Sequence, residues 1–295
     1  MTRTIAVVGT GDMGGAVGAA LGRSGYRVIT DLSARSAASR ARAAEAGIED
    51  AGSLGAVMRE ADLVLSIVPP AAARDFAARA AQALAAAGTR PVFADCNAVA
   101  PATLAEIAAL FAGSGAAFVD VGIVGPAPRA GAPQPTRFYA AGEARAALLD
   151  LDVPELAMVD MGAALGRASA IKMAYAALNK GVDALYTAVL LAAERLGVRA
   201  ELMDELAASQ AAAAKRMAAR VPYLAATAAR FTGEMREIAA TFDAAGVTGD
   251  FHRGAEWVYS ELARSPLAVE TRATLPSHRS LDEAVEIFCA TLERA

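Results

Sequence analysis

The chain has little of several things that common protein chemistries require. Its two cysteines, Cys96 and Cys289, lie far apart, so neither a disulfide framework nor a zinc site is expected. Two histidines, His252 and His278, give no His-x-x-x-His pair, and a protein-ligated transition metal is not expected. Acidic residues outnumber basic ones, 32 to 28, which excludes the dense positive face of an electrostatic nucleic-acid binder. No apolar run approaches the roughly 20 residues of a membrane span. The opening MTRTIAVVGTG passes straight into a strand pattern without a cleavable apolar region, so the expected location is the cytoplasm. Lysine is scarcest among the charged residues: Lys172, Lys180 and Lys215 stand against arginine everywhere else.

What is present points to two domains and much helix. The 295 residues exceed one comfortable core, 55% are hydrophobic, and about a quarter are alanine, which favours helix and close packing. Short β-branched runs at 4–8, 27–30, 63–68, 91–95, 117–121 and 137–140 alternate with helical stretches such as 71–87 and 102–112. That alternation predicts βαβ units and a mainly parallel sheet. After 157–161 the chain reads as helix to its end, with breaks near Gly197, Gly233, Gly246–Gly249 and Pro266. Residues 164–196 lack proline and predict one helix of about 30 residues, about 45 Å long, a domain spine or a subunit interface. The expected architecture is an α/β Rossmann domain, 1–162, and an all-helical domain, 163–295.

Gly9-Thr10-Gly11-Asp12-Met13-Gly14 lies directly after the first strand and opens a helix. In that context Gly9 makes the tight turn and Gly11 admits a pyrophosphate to the backbone. Gly14 packs helix against strand, and the helix N-terminus, with Asp12 and Met13, offers unpaired N–H groups. The end of the second strand carries conflicting signals. Asp31 suits the ribose hydroxyl of NAD, whereas Ser33, Arg35 and Arg40 suit the 2′-phosphate of NADP; NADP is slightly preferred. Asp31 has an alternative role as a cap for the next helix. Val68, Pro69 and Pro70 end the third strand on the side where such sheets bind ligands, as a cofactor contact or a plain terminator.

The long helix carries Lys172, Tyr175 and Asn179 at i, i+3 and i+7, on one face, with Ser169 a turn earlier. A lysine kept where arginine serves elsewhere suggests a proton that must be exchanged, because arginine does not release one. A snorkelling lysine with packing neighbours accounts for the pattern equally well. His252 is a capping residue or a substrate contact facing a partner subunit's site. Arg129, in the Pro/Gly-rich stretch 126–135, is an anion contact or a loop residue. Cys96 has no adjacent base and reads as small and buried.

GTGDMGGAVGAAL, VPP, ADCNAVAP, FVDVGIVGP and GRASAIKMAYAALNKG occur in this order, and the chain resembles the β-hydroxyacid dehydrogenases over nearly its whole length. The helical half, with GDFHRGAEWVYSELA, is similar to a poorly characterised phosphogluconate-dehydrogenase-like branch. The resemblance implies hydride exchange with a nicotinamide cofactor, Lys172 as general acid/base, and a homodimer built by the helical domain. It places Asn97 at the cofactor and substrate, and Val124 and Gly125 at the substrate. Tyr175 stands where the family has Asn or His. Val124-Gly125-Pro126 replaces its Ser-Gly-Gly, which points to a bulkier or less acidic carbonyl substrate. A nucleotide sensor, an oxidative decarboxylase and an imine reductase are the competing readings.

Overall fold

The computed structural model describes residues 2–271 and 274–292. By their internal contacts the residues form two compact units, Met1–Met173 and Ala174–Ala295. The first ends eleven residues beyond the boundary expected from sequence, because the start of the long helix is bonded to the sheet.

Among the described residues of the first unit eight strands form one sheet: β1 (Thr4–Val8), β2 (Arg27–Thr30), β3 (Glu49–Asp50), β4 (Leu63–Ser66), β5 (Val92–Asp95), β6 (Phe118–Val124), β7 (Thr136–Ala141) and β8 (Leu156–Asp160). Their order is β3-β2-β1-β4-β5-β6-β7-β8, parallel throughout except for the antiparallel β6–β7 pair. The order reverses on either side of β1, which opens the crevice where doubly wound sheets hold ligands. Helices α1 (Asp12–Arg23), α2 (Ala37–Glu45), α3 (Leu54–Glu60), α4 (Pro70–Ala87), α5 (Pro101–Ala109) and α6 (Ala146–Leu149) connect the strands.

Alternation along β1 feeds two cores. Ile5 and Val7 join Val17 and Leu21 of α1 on one face, while Ala6 and Val8 join Phe76 of α4 and Leu104 of α5 on the other. On that second face Phe93 stacks between Phe76, Phe111 and Phe118, with ring centroids 4.3–6.2 Å apart. A continuous apolar run thus reads as a strand covered on both sides.

Helix α7 (Arg167–Arg195) spans 29 residues, as the absence of proline predicts. The second unit adds α8 (Arg199–Ser209), α9 (Ala211–Arg220), α10 (Ala225–Ala244), α11 (Asp250–Leu262) and α12 (Leu281–Leu292). Gly233 does not break the chain as expected: α10 runs through it. One interior glycine costs only about 1 kcal/mol against alanine, which packing of buried Phe231, Met235 and Ile238 offsets. The expected breaks near Gly197, Gly246–Gly249 and Pro266 are present, and further ones fall at Gln210 and at Val221–Tyr223, where Pro222 opens a 3₁₀ turn. Among the described residues no helix is long and apolar enough to cross a membrane.

Candidate active site

The glycine turn after β1 is built for close approach. Gly9 has φ +97°, and a Cβ there would stand 2.2 Å from the Ile67 carbonyl oxygen. A Cβ on Gly14 would stand 2.0 Å from the Gly9 carbonyl oxygen. Around Gly11, by contrast, a Cβ would meet nothing within 4 Å, and no side chain caps α1. Open space above uncapped N–H groups suits a pyrophosphate, so the residues fit the dinucleotide that the motif implies. The turn is pinned from α2: Thr10 donates its hydroxyl to the Ser39 carbonyl at 3.0 Å, and Arg42 Nε donates to the Thr10 carbonyl at 3.0 Å.

At the end of β2, Asp31 turns back on its own loop. Its Oδ1 accepts from the Ser33 N–H at 2.9 Å and the Ser33 hydroxyl at 2.6 Å. The cap of α2 is Ser36, whose hydroxyl accepts from the Ser39 N–H, so the capping alternative for Asp31 is corrected. Arg40 donates to the Ser33 and Arg35 carbonyls at 3.2 and 3.3 Å. Asp31, Ser33 and Arg35 therefore share one ordered loop, to which Arg40 of α2 is bonded.

Three side chains tie the ends of β4 and β5. Asn97 accepts from the Val68 N–H at 2.7 Å and donates Nδ2 to the Ser66 hydroxyl at 3.0 Å and to Asp95 at 2.8 Å. Both amide hydrogens are thus spent within the protein, and Asn97 is buried. Pro69 and Pro70 sit at the start of α4, where a proline's missing N–H costs nothing. The Cys96 thiol is buried and pushed well above its ordinary value by that burial, which keeps it a neutral packing group.

Sequence reading missed two buried carboxylates, Asp95 and Asp120, which face one another as register partners on β5 and β6. Their signal is a charged residue inside an apolar strand run, as in Phe118–Val124 (FVDVGIV). Burial pushes Asp95 up to about 7, with Asp120 adding to the rise and the Asn97 hydrogen bonds opposing it. Because this folded-state value exceeds the unfolded one, the folded protein binds the proton more tightly. That contribution is complete below about pH 4 and is lost as pH rises toward 7. We expect the stability of wild type relative to Asp95→Asn to fall from about pH 4 to about pH 7 in denaturant titrations; a difference flat in pH would contradict this.

Asp120 accepts from the first turn of α7, and Lys172, one turn further on, donates Nζ to the Ile123 carbonyl at 2.5 Å. The lysine amine therefore sits at the carboxyl end of β6, beside buried Val124. Gly125, with φ +119°, follows, and the Thr136 hydroxyl holds the Pro126 carbonyl at 2.7 Å. Arg129 is exposed and lines a cleft with Arg23, Gln134 and Glu155.

Further along α7, in the second unit, Tyr175 is 49% exposed. Asn179 donates to the Tyr175 carbonyl at 3.1 Å. Within this unit α7, α10 and α11 border an apolar groove of about 860 Å³ lined by Leu178, Leu185, Phe242, Phe251 and Trp257. Phe251 and Trp257 are 80% and 55% exposed. His252 lies in the same lining, edge-on to Phe242, with Nδ1 buried and without a hydrogen-bond partner among the described residues; burial lowers its pKa.

Residues 4–151 match the model of the NAD binding domain of 6-phosphogluconate dehydrogenase. The chain belongs to the β-hydroxyacid dehydrogenase superfamily. Within that superfamily, residues 193–262 match a domain of unknown function, DUF1932. A conserved hypothetical protein from Sinorhizobium meliloti is similar at 28% identity, over 99% of this chain and 97% of that one, with a TM-score of 0.61. A Mycobacterium tuberculosis 3-hydroxyisobutyrate dehydrogenase, with L-serine, is similar in fold at 19% identity, 97% and 99% coverage and a TM-score of 0.64. A Streptomyces aurantiacus imine reductase shares the fold at 20% identity, 99% coverage of both chains and a TM-score of 0.52. No protein of curated function matches the chain.

Proposed function

We propose that this superfamily member is a nicotinamide-dependent oxidoreductase that interconverts an alcohol or hydroxy acid with its carbonyl, using Lys172 as general acid/base. The observation that carries the reading is the Lys172 amine, held by the Ile123 carbonyl at the carboxyl end of the sheet that also bears the glycine turn. The cofactor, when bound, supplies or accepts the hydride. The chain's own part is the proton: an ammonium donates to the substrate oxygen in reduction, and the free amine removes that proton in oxidation. Tyr175 and Asn179 lie on the same helix face, at i+3 and i+7, and orient lysine or substrate. Gly9, Gly11, Asp12, Met13 and Gly14 hold the pyrophosphate, with Val68 and Pro69 along the nicotinamide. Asn97 acts by fixing Val68.

Two details refine the assignment. Asp31 is engaged by Ser33, and Arg35 and Arg40 follow it, which favours NADP over NAD. Val124, Gly125 and Pro126 offer no side-chain donor for a carboxylate, which favours a less acidic carbonyl or an imine. Nicotinamide fluorescence should show tighter binding of NADPH than NADH, followed by its consumption with at least one class of ketone, keto acid or imine. Binding without consumption across that panel would make the protein a nucleotide sensor, and release of carbon dioxide would make it a decarboxylase.

The partner we propose is a second copy, seated on the apolar groove of the helical unit, where His252 would meet it. A patch carrying Phe251 and Trp257 this exposed is of the kind that marks an interface. Sedimentation should give a dimer at micromolar concentration for wild type and a monomer for Trp257→Asp. A monomeric wild type retires this partner.

A further inference from the structure

Strand β6 meets the start of α7 at three successive levels. At the first, Asp120 Oδ2 accepts from the backbone N–H groups of Gly166 at 2.9 Å, Ala168 at 3.0 Å and Ser169 at 3.1 Å, while Oδ1 accepts from the Ser169 hydroxyl at 2.7 Å. At the second, Gly122 lies two residues along the strand and so on the same face as Asp120. A Cβ on it would stand 2.4 Å from the Ala168 carbonyl oxygen and 3.2 Å from Lys172 Cβ. At the third, the Ile123 carbonyl accepts from Lys172 Nζ.

A buried carboxylate is a costly way to begin a helix. Exposed serines do that work for α2 and α3, where Ser36 and Ser53 cap the first turn. Asp120 is fully buried, and burial holds its pKa above the ordinary carboxylate range even against its four hydrogen bonds. What the carboxylate adds over a serine cap is a fixed link between strand and helix. Its donors at 166–169 lie on the turn directly before Lys172, so a shift of that turn moves the lysine stem as a rigid extension.

We propose that Asp120 is a positioning residue: it locks the first turn of α7 onto β6 and so sets where the Lys172 amine stands and which carbonyl it bonds. The proposal rests on the acid/base reading of Lys172 for its functional meaning, but its geometry can be tested without turnover. With three lysines in the chain, side-chain nitrogen spectra contain three lysine signals, and a Lys172→Ala sample assigns the one that matters.

In folded, cofactor-free Asp120→Ala, the Lys172 signal should move to the position of a solvated lysine, while Lys180 and Lys215 keep theirs. The kcat should fall about 10-fold or more, with KM for the cofactor unchanged, since misplacement on the order of 1 Å is enough for such losses. Asp120→Asn keeps the shape and an acceptor oxygen for the helix N–H groups, and should restore most of both. A Lys172 signal that stays in place in Asp120→Ala overturns the proposal. Should Asp120→Ala fail to fold, Asp120→Asn and Ser169→Ala carry the test: each removes part of the bonding and should move the same signal by less. Movement in neither overturns the proposal equally. Full turnover by Lys172→Ala would defeat the acid/base reading instead, and leave the lysine signal to decide the positioning on its own.

Discussion

Lys172→Ala is expected to leave a folded protein that binds its dinucleotide and turns over at least about 100-fold more slowly. The variant removes the hydrogen bond to the Ile123 carbonyl, but that oxygen lies beside the vacated side-chain space, where water can replace the amine. The glycine turn and the β2 loop are untouched, so fluorescence titration should give nearly the wild-type cofactor affinity. Lys172→Arg should rescue little. A guanidinium stays protonated and cannot take up the substrate proton. The decisive comparison is kcat/KM against cofactor Kd. Turnover unchanged by Lys172→Ala would take the lysine out of the chemistry.

A second large effect separates two glycines three residues apart. Gly11→Ala should fold with a stability within about 1 kcal/mol of wild type, since the residue is a helix N-cap at φ −75° with nothing near its Cβ. Its added methyl enters the space through which a pyrophosphate approaches the backbone, so dinucleotide affinity should fall about 10-fold or more. Gly14→Ala should fail earlier. Its methyl would stand 2.0 Å from a carbonyl oxygen of the same turn, which forces α1 away from β1 and lowers Tm before any ligand is added. Thermal melts of the cofactor-free proteins, paired with titrations, distinguish the two. Wild-type affinity in Gly11→Ala would mean that the ligand does not pass there.

Local signals account for what the sequence made legible. β1 and β2 are short β-branched runs bounded by glycine or a charged residue, and α7 is a long stretch without proline, so pattern and structure agree. β3 escaped notice because Glu49 and Asp50 carry no apolar signature; the strand exists by pairing with β2. The Gly233 break failed because tertiary packing outweighs a single weak helix former. At the site, the glycine turn was readable because its geometry is local. Asn97 was named through the resemblance but its bonds to Val68 and Ser66 were not readable, and Asp120 was missed, since these bonds reach 29 to 49 residues along the chain and depend on strand register. A lone acidic residue within an apolar strand was the available clue.

The bond Thr10 donates to the Ser39 carbonyl and the one it accepts from Arg42 bear on any redesign of cofactor preference. Transplanting a foreign segment over residues 31–42, as a specificity graft would, also cuts the two struts that brace the glycine turn. A successful graft must therefore carry Arg42 along unchanged and keep the backbone at Ser39 in place, confining the exchange to the short stretch ahead of them.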